Sequence, residues 1–583
     1  MTDNRVWKLP ESAPNPAELA AAWTRVVENG IAAMQAGVRP SVSLAYDPTA
    51  PARAMADFTA QLWQNPMAVL QASQAAASEW MEFWGSAARR ASGHEVEPVI
   101  APERGDRRFG DAAWSEDPAF DYLKQAYLLA SRQATDLVGK TEGIDEATRT
   151  RAEFFTQAYL NALSPANFAF TNPEAIRRAI DTGSISLLSG LANLLADAAT
   201  DARLPQRRAS AEFELGKDIA ATPGSVVFQN ELMQLIQYAP TTDTVFRRPL
   251  LYVPPLVNKY YLLDLQPKSS LVRWLVEQGH NVFVISWINP GPELADKGLD
   301  DYLSEGPLAA LEIVAKATGE KEVDLFGFCM GGTLAAMAAK KIGTVPNKKG
   351  DSPYFSSLTT IGSMFDFAKM GQWATFTEPS QVKAMEKHLE AKGVLAAHEL
   401  QGLFSVVRAN DLIWSSVVSH YLLDKEAPAS DILHWFADGA HIPRAFLLDW
   451  TNKILRDNAL TKPGALDFDA PAMVISLKDD HVSAWQATYD GAKLLGGETR
   501  FLLGGSGHNA GVINPPSANK HGYWTNEAMP DSAEQWLETA TRHEGSWWPH
   551  WQTWLVRDGA ERVKARKPKN EIEPAPGSYV RMR

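Results

Sequence analysis

The sequence predicts an α/β protein in two parts: a mainly α-helical region over residues 1–220 and an α/β catalytic domain over residues 221–583. Three observations carry this reading. No β-alternation of any length precedes about residue 222. From Pro249 onward, near-continuous apolar runs alternate with helical segments of about 10–15 residues, the pattern of a parallel sheet covered on both faces. That alternation pauses between about residues 370 and 460, where the chain is helical and rich in Trp, Phe and Leu. An insertion between strands of an open sheet lies over the strand C-terminal ends, where ligands bind, so this stretch reads as a cap over the active site.

Each element follows from local pattern. Pro16 to Ala36 has helical apolar spacing after the breakers Pro14 and Asn15, and Ala56 to Arg90 continues it. Gly93 to Asp106 is a polar linker. Helices resume at Pro118 to Val138 and Glu146 to Ala162; Ser164 to Asn172 is irregular, and Pro173 opens another helix. Ser225 to Gln229 and Leu232 to Tyr238 read as short strands. The buried strands are Pro249 to Val253, Asn281 to Ser286, Glu322 to Phe326, Leu358 to Ile361, Pro471 to Ser476 and Arg500 to Leu503. Helices at Ser270 to Gln278, Ala309 to Thr318 and Thr333 to Lys341 lie between them, the first two closed by Gly279 and Gly319.

Composition excludes several classes. Of 583 residues, 45% are hydrophobic and 21% charged, which rules out a disordered or collagenous chain. A net charge of −13 supplies no basic field for nucleic acid, although a few local cations suffice for an anionic small substrate. The single cysteine, Cys329, excludes an intrachain disulfide and a Cys-rich zinc site, so no metal is expected. Met1 to Arg5 carries no signal-peptide pattern. The stretch from Ser186 to Thr200 is interrupted by Asn193 and Asp197 and is too short to span a bilayer, so a cytoplasmic protein without a transmembrane segment is expected. The 19 Trp residues fit either a deep apolar pocket or large cores.

One segment carries chemistry. Gly327-Phe328-Cys329-Met330-Gly331-Gly332 joins a strand to a helix in the form G-x-C-x-G-G. Small residues permit a strained turn that pushes the nucleophile out at the sheet edge, and the amide of Met330 then points at a developing oxyanion. The helix start also favours thiolate at Cys329. In the α/β-hydrolase order of nucleophile, acid and histidine, the acid is Asp479 or Asp480, after the strand ending at Ser476, and the general base is His508, in the Gly-rich loop after the last strand. The second oxyanion donor is expected from the backbone of Leu256 or Val257. Asn258 and Lys259 are polar groups near the mouth, or else simple loop hydrogen-bonding residues.

At these residues the sequence resembles the polyhydroxyalkanoate synthases, most closely the single-subunit class I type. The resemblance runs through Asp106 to Trp114, Ser164 to Phe168, Thr171 to Glu174, Pro254 to Lys259, Val284 to Trp287, Gly327 to Gly332, Asn410 to Trp414, Gly507 to Pro516 and Gly545 to Pro549. It implies an α/β-hydrolase catalytic domain with Cys329 as acyl-carrying nucleophile, His508 as base and Asp480, rather than Asp479, as acid. It places Arg408 and His481 near the coenzyme A channel, and Asn258, from its place near the mouth, is a further candidate contact to substrate or CoA. It implies polymerisation of (R)-3-hydroxyacyl-CoA, short-chain units such as 3-hydroxybutyryl, into polyester with release of CoA and no further cofactor. It also implies a homodimer in the cytoplasm at the surface of polymer granules, with the helical region serving granule association or dimerisation. The chain departs from the family pattern at Ala484, at His434 to Gly439 and in the length of the segment from Leu460 to Pro471. Two rival functions share the composition: an esterase, thioesterase or depolymerase of the same fold, and a non-catalytic granule-coating protein.

Overall fold

The computed structural model describes residues 15–36, 46–200, 213–343, 353–426, 429–557 and 560–583. The reading of Met1 to Arg5 lies outside them. The chain divides into two compact units: residues 1–209 with 371–385 and 401–428, and residues 210–370 with 386–400 and 429–583. The stretch expected as a cap over 370–460 is thus shared between the two.

The first unit is helical, with its main helices at Pro16–Ala36, Ala50–Leu62, Pro66–Ala91, Pro118–Lys140, Glu146–Ala162, Pro173–Asp181 and Ile185–Ala198. Their starts are encoded by side-chain caps: Asn65, Asp117, Asp145 and Asn172 each accept a hydrogen bond from a first-turn amide, and Pro occupies the first turn after Asn65, Asp117 and Asn172. The helix read as continuous over 56–90 is therefore two, broken where Asn65 caps and Pro66 restarts the chain. The Asp106-to-Trp114 motif is a core: Phe109 and Trp114 meet edge to face at 5.0 Å and are buried with Ala166.

The second unit is built on an eleven-stranded sheet. Its strands are β1 (Gly224–Gln229), β2 (Met233–Tyr238), β3 (Leu250–Val253), β4 (Val282–Trp287), β5 (Glu322–Phe328), β6 (Tyr354–Ile361), β7 (Ala472–Leu477), β8 (Thr499–Gly504), β9 (Tyr523–Thr525), β10 (Thr541–His543) and β11 (Glu573–Pro574). Their spatial order is β10-β9-β8-β7-β6-β5-β3-β4-β2-β1-β11. The centre, β3 to β8, is parallel, as the buried apolar runs predicted. The margins are antiparallel, so the sheet is mixed. These margins are segments of two to six residues, several too short to show an alternation. Two small ladders, Val394–Leu395 with Ile442–Pro443 and Thr244–Phe246 with Arg562–Lys564, lie outside the sheet.

Register sets the function. Val253 pairs with Gly327, Phe328 with Ile361, Ile361 with Ile475, and Leu477 with Gly504. The chain therefore leaves β3, β5, β6, β7 and β8 at one edge, where the loops at Pro254, Cys329, Gly362, Asp480 and His508 begin.

Among the described residues no single helix is long and apolar enough to cross a membrane; the bent pair Pro173–Asp181 and Ile185–Ala198 passes that test only when joined across a 111° break.

His280, just before β4, is buried against Phe246 at a ring distance of 4.8 Å, and its Nε2 has no hydrogen-bond partner. Burial, with the nearby Arg562 cation, pushes its pKa down from 6.5 to about 3. A histidine depressed on folding binds its proton in the unfolded chain first, so stability is lost as pH falls below about 6.5, by up to about 1.4 kcal/mol per pH unit until about pH 3. His280→Leu should flatten that acid limb in thermal melts between those limits; an unchanged slope would assign the acid sensitivity elsewhere.

Candidate active site

Cys329 sits between β5 and the helix Met330–Ile342 with φ +54° and ψ −130°. A side chain at that φ is strained by about 1–3 kcal/mol and persists only where packing holds it. Here the packing is explicit. A Cβ on Gly331 would lie 2.2 Å from the Val253 carbonyl oxygen, and one on Gly332 would lie 2.0 Å from the Ser363 hydroxyl oxygen. The helix therefore starts directly after Cys329, three residues earlier than its Ala-rich body suggests, jammed against the ends of β3 and β6. Cys329 itself is partly exposed.

The expected oxyanion donors lie on the two segments that meet in this jam. The Met330 amide is at the first position of the helix, and Leu256 and Val257 follow the Val253-Pro254 turn against which Gly331 packs. Among the described residues none of these three amides donates to a protein acceptor.

His508 and Asp480 arrive from β8 and β7. His508 Nδ1 lies 2.6 Å from Asp480 Oδ2, and the carboxylate side chain is 0% exposed. Asp480 Oδ1 accepts the amides of Val482 at 2.8 Å and Ser483 at 2.9 Å. Asp479 is exposed and does not join this network through its side chain; only its amide is used, donating to the Ser506 carbonyl. The Cys329 sulfur is close enough to His508 to interact with its ring electrostatically. Burial opposes charge on the His508 ring more than any other single cause, but the Asp480 carboxylate and the Cys329 sulfur together outweigh it and lift the ring to about 10. Asp480 and Cys329 thus favour the protonated ring, and burial opposes it.

Several residues support the site in ways the sequence did not show. Phe328 lays its ring 4.9 Å from that of His508. The indole N–H groups of Trp547 and Trp548 donate to the carbonyls of Gly511 and Val512 at 2.9 and 3.0 Å, and Trp551 donates to the Thr359 hydroxyl at 2.9 Å. Trp547 and Trp548 thus clamp the loop that carries His508, and all three are buried, which resolves the choice between pocket lining and core in favour of core for this group. Gly362, after β6, has φ +57°, and a Cβ there would stand 3.2 Å from His508 Cε1, 3.3 Å from Nδ1 and 3.5 Å from Asp480 Oδ2. Only the strained turn around Cys329 had a readable signal; a lone glycine after a strand does not stand out.

Of the other expected residues, Asn258 spends its amide on the Trp435 and Phe436 carbonyls at 3.4 and 3.5 Å. His481 follows Asp480 and is partly exposed. Arg408 belongs to the other unit, where its guanidinium binds Asp411. Among the described residues no group of three or more His, Cys, Asp or Glu could hold a metal ion.

A parallel sheet with a strained nucleophile turn after one central strand and an acid and a histidine after two others defines the α/β-hydrolase fold. The alpha/beta hydrolase fold model matches residues 258–515, and the model described as poly-beta-hydroxybutyrate polymerase (PhaC) N-terminus matches residues 105–275. The chain is 40% identical over 542 residues to the poly(3-hydroxyalkanoate) polymerase of Methylorubrum extorquens, covering 90% of this chain and 89% of that one. It is 37% identical over 534 residues to the poly(3-hydroxyalkanoate) polymerase subunit PhaC of Rhizobium meliloti (89% and 86% covered) and 40% identical over 496 residues to that of Cupriavidus necator (82% and 83% covered). The chain belongs to the poly(3-hydroxyalkanoate) polymerase family. It is accordingly an acyltransferase of polyhydroxyalkanoate biosynthesis.

Gly362→Ala tests the site geometry. An alanine at this φ costs about 1–2 kcal/mol, and its methyl group must push the imidazole or carboxylate by a few tenths of an ångström. Transferase activity should fall at least about tenfold while the protein remains folded by circular dichroism. Full activity would show that the His508–Asp480 pair tolerates displacement.

Proposed function

We propose that the protein polymerises (R)-3-hydroxyacyl-CoA into polyester through a covalent acyl-Cys329 intermediate. The observation that carries this reading is the buried relay from Asp480 through His508 to a partly exposed sulfur held at a strained turn. His508 takes the Cys329 proton, and the sulfur attacks the thioester carbonyl. The amides of Met330 and of Leu256 or Val257 receive the oxyanion. The intermediate collapses as His508 returns the proton to the departing CoA thiol, leaving an acyl-cysteine. His508 then takes the proton of the 3-hydroxyl of a second unit, that oxygen attacks the acyl-cysteine, and an ester forms as the sulfur leaves. The saturation of both Asp480 oxygens by His508, Val482 and Ser483 favours His508 over Asp480 as the base in this second step.

Finer features rest on the resemblance. Gly507 to Asn514 supports short-chain units such as 3-hydroxybutyryl, and Asn258, Arg408 and His481 remain the proposed contacts to substrate or CoA, with no cofactor beyond it. In the helical unit, Trp23, Val27, Ile31 and Met34 form one exposed stripe of the helix Pro16–Ala36. That stripe supports a role at an apolar surface, either the granule in the cytoplasm or a second protomer of a homodimer.

Cys329→Ala should abolish both CoA release and polymer from 3-hydroxybutyryl-CoA with the fold retained, and His508→Gln should slow acylation about 10²-fold or more. Intact-mass measurement during turnover should find wild-type protein heavier by hydroxyacyl units on Cys329. CoA release accompanied by free hydroxy acid and no polymer would instead identify a thioesterase, and polymer formation by Cys329→Ala would sink the assignment.

A further inference from the structure

The loop over residues 254–261 carries the proposed second oxyanion donor, yet among the described residues the amides of Leu256 and Val257 bind no protein acceptor that could fix them. Their position depends on what holds the loop at either side. Ahead of them, the Trp287 indole donates to the Pro254 carbonyl at 3.0 Å. Behind them stands a buried charge cluster. Lys259 Nζ lies 2.7 Å from Asp438 Oδ1 and donates to the Met582 carbonyl at 2.9 Å, with its side chain 5% exposed. The Tyr261 hydroxyl donates to the other oxygen, Asp438 Oδ2, at 2.8 Å.

We propose that Lys259 is a positioning residue for the oxyanion hole: its ion pair with Asp438 holds the amides of Leu256 and Val257 in line with that of Met330. The inference rests on the acyl-transfer reading above and deepens it. Lysine is almost never buried unless paired, because its desolvation is costly. Burial accordingly pushes the Lys259 pKa down, and Asp438 pulls it back. Such a pair contributes little net stability but has one low-energy geometry, since moving either partner leaves a buried charge without its counterion.

That geometry is transmitted to the loop by short backbone links. The Trp435 indole donates to the Lys259 carbonyl at 2.7 Å, the Ala440 amide donates to the Val257 carbonyl at 3.3 Å, and Asn258 bridges Gly439. Residues 257–261 and 435–440 are therefore joined on both sides of the ion pair. The ammonium itself is engaged by Asp438 and Met582, so it acts through the loop and not on the reacting atoms.

The test uses the full-length enzyme and two reactions of the same sulfur. Acyl transfer from 3-hydroxybutyryl-CoA builds an oxyanion; alkylation of Cys329 by iodoacetamide, a displacement at saturated carbon, does not. Lys259→Met should lower kcat for CoA release about ten- to hundredfold, short of the about 10²–10³ expected for deleting a donor outright. KM should stay within about twofold and the alkylation rate should match the wild type. Lys259→Met with Asp438→Leu removes both charges, so no orphaned carboxylate remains to unfold the protein, and it should show the same split. Tyr261→Phe, which removes one anchor of Asp438, should show it more weakly and carries the test should the other variants fail to fold. A folded variant of either lysine design with wild-type kcat, unchanged kcat in Tyr261→Phe, or alkylation falling in step with kcat would overturn the proposal. A wild-type enzyme that alkylates but releases no CoA would overturn the acyl-transfer reading first, and is distinguishable from all of these.

Discussion

The close approach of the helix Met330–Ile342 to the ends of β3 and β6 is the constraint on which the site depends. Gly331 and Gly332 have no room for a side-chain carbon, and their contact with Val253 and Ser363 keeps Cys329 at a φ of +54°. Relaxing that contact would let the cysteine return to an ordinary conformation, at a gain of about 1–3 kcal/mol, and would withdraw the sulfur from the sheet edge. The same contact sets the distance between the first amide of the helix and the loop after β3. One packing event thus places both the nucleophile and its candidate oxyanion donors.

The remaining groups converge because parallel strands in register end together. β5, β6, β7 and β8 deliver Cys329, Gly362, Asp480 and His508 to the same edge, but the strand ends alone leave the loops free to vary. A second layer removes that freedom. Trp547 and Trp548 fix the His508 loop through its carbonyls, and Lys259, Asp438 and Trp435 fix the loop after β3. Trp435, Asp438, Trp547 and Trp548 come from segments distant in sequence from the residues they hold. Buried indole N–H and ammonium groups need acceptors, and the carbonyls and the carboxylate of these loops supply them, together with the Met582 carbonyl.

Much of this was readable from residues. The central strands are apolar runs buried on both faces, which is why β3 to β8 stood out, and the G-x-C-x-G-G turn identified the sulfur because nothing larger than glycine fits beside it. Of the antiparallel margins, β1 and β2 were readable as short strands and the outermost segments were not: Tyr523–Thr525 and Glu573–Pro574 hold too few residues for an alternation, and their pairing is decided by tertiary contacts. The choice between Asp479 and Asp480 likewise turns on the path of one tight turn. Because Val482 and Ser483 return their amides to residue 480, that carboxylate points inward and its neighbour outward. Residue type and strand position are identical for the two, so residues alone leave the choice open. Gly362 carried no signal at all, since the reason for it lies in the imidazole of His508, more than a hundred residues away in sequence.

The charge arrangement explains why the loop after β3 should matter as much as the relay itself. With the His508 ring protonated, the buried relay holds one cation between a carboxylate and a sulfur. In the proposed reaction the sulfur gives up its negative charge as it bonds to the acyl carbon, and that charge reappears on the acyl oxygen. The ring stays where it was, near the sulfur, and does not follow. A buried oxyanion without donors is prohibitively costly, so the stabilisation it loses from the imidazolium must come from amides already aimed at the new position. In the proposed reaction the amide of Met330, which adjoins the sulfur, serves both sites, and those of Leu256 and Val257 serve only the second. Charge moves across two bonds in this step, from the sulfur through the acyl carbon to the oxygen. A loop held only by water could follow it at the cost of reorganising; a loop held by a buried ion pair does not have to move.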